Sequence, residues 1–167
     1  MDKYWQIVEK TVSVLWVIFG VLGLSYLIID ISNWMQSMTT ASVDLNFLLT
    51  RQYPILICLF LIFGGLLLFF KKKLGWLMVI ASCFVLFLGI IIGSFHNTTD
   101  GWAFELEENK DVFSFVFISF LALILFLFTR EYFLNKYLPS SKDFSYIALF
   151  VFFFVANRLL LQFEFYI

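Results

Sequence analysis

Charge is the scarcest commodity in this chain. Only 14% of its 167 residues are Asp, Glu, Lys or Arg, where a soluble domain carries roughly a quarter. Hydrophobic residues make up 62% and aromatic residues 22%. A water-soluble helix needs a polar face, and long stretches here have none. The scarcity excludes a soluble globular domain and makes the lipid bilayer the main solvent of the fold. The net charge of −1 gives no electrostatic footprint for nucleic acid.

Other absences narrow the chemistry. There are two cysteines, Cys58 and Cys83, in no CxxC pair, and a single histidine, His96. This excludes a disulfide framework and a zinc site, and both cysteines read as small hydrophobes inside apolar segments. No HExxH, glycine-rich phosphate loop or nucleophile–base pair is present, and the apolar runs hold no cluster of carboxylates. The expectation is a protein that is not an enzyme, with no cofactor, no metal and no small-molecule substrate.

What is there in abundance is apolar length. Five runs qualify as spans, at about residues 11–29, 54–70, 74–95, 112–129 and 144–161. The first follows Lys3 and Lys10 and is too long for a cleaved signal segment. Asp30 ends it, and Pro54 opens the second as a first-turn proline. Asn157 and Arg158 interrupt the fifth. The fold class is an all-α polytopic transmembrane helical bundle of four to five spans, forming one membrane domain over residues 1–167.

Lys71, Lys72 and Lys73 lie between the second and third runs. Adjacent ammonium groups cannot rest in hydrocarbon, so the chain turns there at the membrane surface. With that turn inside, Lys3, Lys10, the triplet, Arg130, Lys136 and Lys142 fall on the inner side, against Arg51 and Lys110 outside. This asymmetry puts the N-terminus in the cytoplasm and, for five spans, the C-terminus outside. The triplet is a topology determinant and a candidate contact for lipid head groups. Trp5, Trp76, Tyr132 and Tyr137 fit the inner interface, while Trp16 fits a position between helices.

The outer loop 31–53, with Trp34, Met38, Phe47 and Leu48 at helical spacing, predicts short interfacial helices. The outer loop 96–111 is acidic, and its alternating Trp102, Phe104 and Leu106 predict an extended segment. The inner loops are 71–73 and 130–143, the latter holding a helix stop at Pro139-Ser140-Ser141.

Two sets of residues stand out within the spans. Gly75, Ser82, Gly89 and Gly93 form a small-residue stripe on the third span, suited to close helix packing, with Gly20, Gly23, Gly64 and Gly65 as complements. Arg158 is an intramembrane cation in the outer third of the fifth span, with Asp30 as a carboxylate at matching depth. The expected partners are membrane lipids and either further copies of the chain or another protein. The expected function is that of a subunit, sensor or scaffold in a bacterial inner-membrane complex, for instance of phage defence or toxin immunity. The competing expectation is an oligomeric channel or membrane-permeabilising effector.

Overall fold

A computed structural model describes residues 2–37, 45–96 and 110–163, and all of them lie in helices or the short turns between helices. The order is α1 (Asp2–Ser37), α2 (Leu45–Phe69), α3 (Lys73–His96), α4 (Lys110–Phe128), α5 (Glu131–Tyr137) and α6 (Ser141–Phe163). Three helices, α1 to α3, are long and apolar enough to cross a membrane. The α4–α5 pair, bent by 60°, makes a fourth if it is taken as one broken span. The expected fifth span is helical throughout, as α6.

Helix α3 is the centre of the bundle, touching α2, α4 and α6, while α1 lies along α2. Glycines set the closest approaches. A Cβ on Gly20 of α1 would stand 2.7 Å from the Cys58 carbonyl oxygen on α2, and one on Gly65 would stand 2.7 Å from the Ser13 carbonyl oxygen. These backbones touch because no side chain separates them, which lets dispersion act at short range. The core between the helices is built on Trp16, Trp76, Leu68, Val79, Phe128 and Phe133. Outside it the surface is equally apolar, with Phe115 72% and Phe152 74% exposed. An apolar exterior of this extent is unfavourable in water and suits hydrocarbon.

The turn between α2 and α3 follows from its hydrogen bonds. Lys72 N donates to Leu67 O at 2.9 Å and Lys71 N to Leu68 O at 2.8 Å, a Schellman closure with Lys71 left-handed at φ 56°. The hairpin places the start of α1, the lysine turn, α5 and the start of α6 at one end of the bundle, the basic end. Asp30 and Arg51 mark the opposite end.

Several boundaries differ from the sequence reading. Asp30 does not end α1, which continues to Ser37, and Pro54 lies well inside α2 rather than in its first turn. A charge ends a hydrocarbon span but not a helix, and a membrane helix tolerates an interior proline where neighbours cover the freed carbonyl. Residues 31–37 and 45–53 extend the long helices instead of forming separate interfacial ones. Residues 38–44 and the expected extended segment with Trp102, Phe104 and Leu106 lie outside the described residues. The inner segment 130–143 is not a plain loop but contains a helix, α5.

Candidate functional site

The densest polar arrangement is at the basic end, organised by α5. This helix has seven residues, too few to be stable alone, so tertiary contacts hold it. Its i, i+4 pair Phe133 and Tyr137 faces inward, and Glu131 and Asn135 face out. Phe133 stacks on Phe128 at the end of α4, with ring centroids 4.6 Å apart, and meets Trp5 of α1 edge-on. Trp5 also stacks on Tyr132. Tyr137 stacks on Trp76 of α3 at 5.9 Å, and Trp76 Nε1 donates to the Phe128 carbonyl oxygen at 3.2 Å. That carbonyl is one of those a helix end leaves without an intrahelical partner.

Glu9 of α1 is 1% exposed at the heart of this arrangement. Its Oε2 accepts from Lys136 Nζ and its Oε1 from the Tyr137 hydroxyl. Ser13 Oγ donates to the Glu9 carbonyl oxygen at 2.7 Å. A buried carboxylate is costly without such partners; here each oxygen has one. Burial pushes the Tyr137 phenol well above its usual range, and the Glu9 hydrogen bond and charge add to this. The hydroxyl therefore stays protonated and remains a donor.

A second polar group closes the junction. Lys73 Nζ pairs with Asp143 Oδ2 at 2.6 Å and donates to the Leu138 carbonyl oxygen at 3.0 Å. Ser140 donates to the same carboxylate oxygen from its backbone N at 2.5 Å and its Oγ at 2.7 Å. Asp143 thus acts back on the residue before α6, as in a capping box. The Lys73 hydrogen bond, then the two from Ser140, hold the Asp143 carboxyl down at about 2. Together the two groups tie α1, α3, α5 and α6 at one end.

The lysine triplet is therefore divided in role. Lys71 and Lys72 are exposed on the turn, and Lys73 is a structural partner of α6. The small-residue stripe on α3 is divided too. A Cβ on Gly75 would collide with the backbone of Leu67 and Leu68 on α2, and Ser82 Oγ accepts from Trp16 Nε1 at 2.8 Å. Trp16 thus packs between helices, as its depth suggested. Gly89 faces open space; Gly93 lies on α3 and Arg158 on α6, and the surroundings of Gly93 and the Arg158 side chain are outside what the structure describes. Asp30, matched to Arg158 by depth, pairs with Arg51 of α2 at 2.9 Å. Cys58 and Cys83 are free and buried. Among the described residues, no three His, Cys, Asp or Glu side chains converge on a point where a metal could sit.

Sequence reasoning missed Glu9 and Asp143, and it reads Lys136 only as a topology charge and Tyr137 only as an interface aromatic. A signal for Glu9 was present. Trp5, Glu9, Val12 and Trp16 recur at i, i+4, i+7 and i+11, the inward face of an amphipathic helix, so its carboxylate had to meet a donor. Nothing in the sequence named that donor.

Comparison with models of protein families, with curated proteins and with solved structures finds no match for this chain.

Proposed function

We propose that this chain is a non-enzymatic subunit, sensor or scaffold of a membrane complex, held in a bacterial inner membrane. In this reading it crosses five times, with α6 as the fifth span, the basic end in the cytoplasm and the C-terminus outside. The observation that carries it is how the polar side chains of the junction are used. Glu9, Lys136, Tyr137, Lys73 and Asp143 are engaged with one another, joining helices. Such a junction makes a rigid cytoplasmic platform, and exposed lysines on it are available to a protein or lipid partner. The basic residues that set orientation by the inside-positive rule also gather at this one end.

The test is recovery from native membranes. Crosslinking followed by purification in mild detergent is expected to yield a homo-oligomer or a stoichiometric partner. Sustained conductance of liposomes containing the purified protein would replace this reading with that of an oligomeric channel. A Tyr166→Cys variant tests orientation separately, because labelling only from the cytoplasm would refute an outward C-terminus.

A further inference from the structure

Helix α4 stands at the rim of the bundle. It packs on α3, with Leu121, Ile124 and Phe128 in the core, and its Phe120 ring meets Trp16 and Phe19 of α1. On the opposite face Val116, Ser119, Leu123 and Phe126 are exposed. They recur at i, i+3, i+7 and i+10, which is one helical stripe. The Ser119 hydroxyl donates to the Phe115 carbonyl oxygen at 2.8 Å, so its donor is satisfied within the helix and the stripe is apolar. From Val116 to Phe126 it rises ~15 Å, about the depth of one leaflet of hydrocarbon.

Arg130 continues this stripe at i+14, and its side chain lies on it. The guanidinium carbon stands 4.1 Å from the centre of the exposed Phe126 ring. The cation is thus turned back along α4 instead of outward to water. Trp76, one turn in from the lysine turn, donates to the Phe128 carbonyl oxygen. This puts the end of α4 at the interface of the basic end, with Phe126 half a turn further into the bundle. Among the described residues the Arg130 side chain makes no ion pair, not even with the adjacent Glu131, and no hydrogen bond. Nor does it cap α5. The ring covers one side of the guanidinium plane and leaves the N–H donors at its edge open to an acceptor. A cation at the boundary of hydrocarbon is costly without a partner. The acceptor that this layer holds in quantity is the phosphate of a phospholipid, whose oxygens match the guanidinium fork.

We propose that Arg130 and the outward stripe of α4 bind one anionic phospholipid, the phosphate held by the guanidinium over Phe126 and an acyl chain lying along Leu123 and Val116. The charge and the apolar stripe share one face because the contact between cation and ring puts them there. The inference goes beyond the subunit reading and needs only that the bundle lie in a bilayer. It differs from a diffuse basic surface in requiring one particular cation and the ring that seats it.

Native mass spectrometry of the purified full chain in detergent, titrated with phosphatidylglycerol or phosphatidylcholine, tests it. Phosphatidylglycerol is expected to bind one to one, and phosphatidylcholine more weakly. Arg130→Gln is expected to bind phosphatidylglycerol about fivefold or more weakly, the loss that corresponds to one basic residue at an anionic surface. Its side chain holds no other helix, so the variant is expected to unfold at the same denaturant concentration as the unmodified protein. Phe126→Leu keeps the stripe apolar but removes the ring, and a loss of about two- to fivefold is expected. Lys142→Gln removes one exposed charge from α6 at the same end and is expected to bind as the unmodified protein does. Equal loss in Arg130→Gln and Lys142→Gln would overturn the proposal in favour of general electrostatic attraction. Full binding by Phe126→Leu would overturn the seat on the ring. Glycerol phosphate, which has the head group's phosphate and no acyl chain, is expected not to displace the lipid; displacement would overturn the role of the stripe. Unchanged lipid binding by Arg130→Gln, with loss of a copurifying protein, would overturn the proposal in favour of a protein partner on this face.

Discussion

The two ends of the bundle are built differently. At the basic end a carboxylate that is almost wholly buried is shared between an amine and a phenol, and a second ion pair is backed by a carbonyl and a serine cap. At the far end the described residues give one ion pair between side chains, Asp30 with Arg51, and both are partly exposed at 34% and 24%. The same kinds of residue do different work at the two places because their surroundings differ. Where water is excluded, an unpaired charge is severely penalised, so the pair enforces one geometry. Where water remains, the pair gains little and constrains little. The contrast rests on Glu9, whose side chain is 2% exposed; Lys73 of the second pair, at 39%, is as open to solvent as the partners at the far end.

Breaking the Glu9 contact is the strongest challenge to this contrast. Lys136→Met leaves a buried carboxylate without its cation and is expected to destabilise the bundle by ~3–5 kcal/mol, read from denaturant unfolding in detergent micelles. The double variant Glu9→Leu/Lys136→Met is expected to recover most of that loss. If the single variant unfolds as easily as the double one, the buried pair is not what fixes this end.

Gly75→Ala comes next. Its Cβ would enter the backbone of α2 just before the lysine turn, and a backbone cannot swing aside as a side chain can. A loss of ~1–3 kcal/mol is expected, measured the same way. Acid probes the second ion pair. Asp143 has an ordinary value of 3.8 and is held at about 2 in the fold. A lowered carboxyl contributes stability that is complete above the ordinary value and disappears as pH falls through the folded one. The stability difference between the unmodified protein and Asp143→Asn is therefore expected to be constant at neutral pH and to shrink between pH 3.8 and about 2. A difference that persisted at pH 2 would show that the carboxylate's charge is not its contribution.

Asp30→Asn, at the far end, is expected to cost no more than ~1 kcal/mol. A cost equal to that of Lys136→Met would erase the contrast between the ends. The smallest effect is expected from Gly89→Leu. Nothing stands where its side chain would go, so unfolding of the monomer should be unchanged. A shift in oligomeric state by light scattering would instead identify Gly89 as a contact between copies.

Much of the bundle was legible in the sequence because a membrane leaves so few solutions. Backbone groups in hydrocarbon must be satisfied within their own segment, so long apolar runs become helices. The lysine triplet located a turn that the structure closes at Phe70–Lys72. Legibility failed where the chain leaves the regular pattern. Helix α5 is invisible in the sequence because seven residues carry too little periodicity, and its stability comes from Trp5, Trp76 and Phe128 on other helices. The stripe of Gly75, Ser82 and Gly89 was legible as a pattern but not as a surface. One member meets a backbone, one an indole, and one nothing.

By itself the sequence determined the solvent, the helical class and the turn at the triplet, since each depends on local composition and on the cost of placing charge in hydrocarbon. The tertiary structure alone decided the partners. It gave Glu9 to Lys136 and Tyr137, Asp143 to Lys73, and Asp30 to Arg51. Residues as far apart in sequence as Glu9 and Lys136 meet only after the helices have packed, and no local preference encodes which charges then share a level.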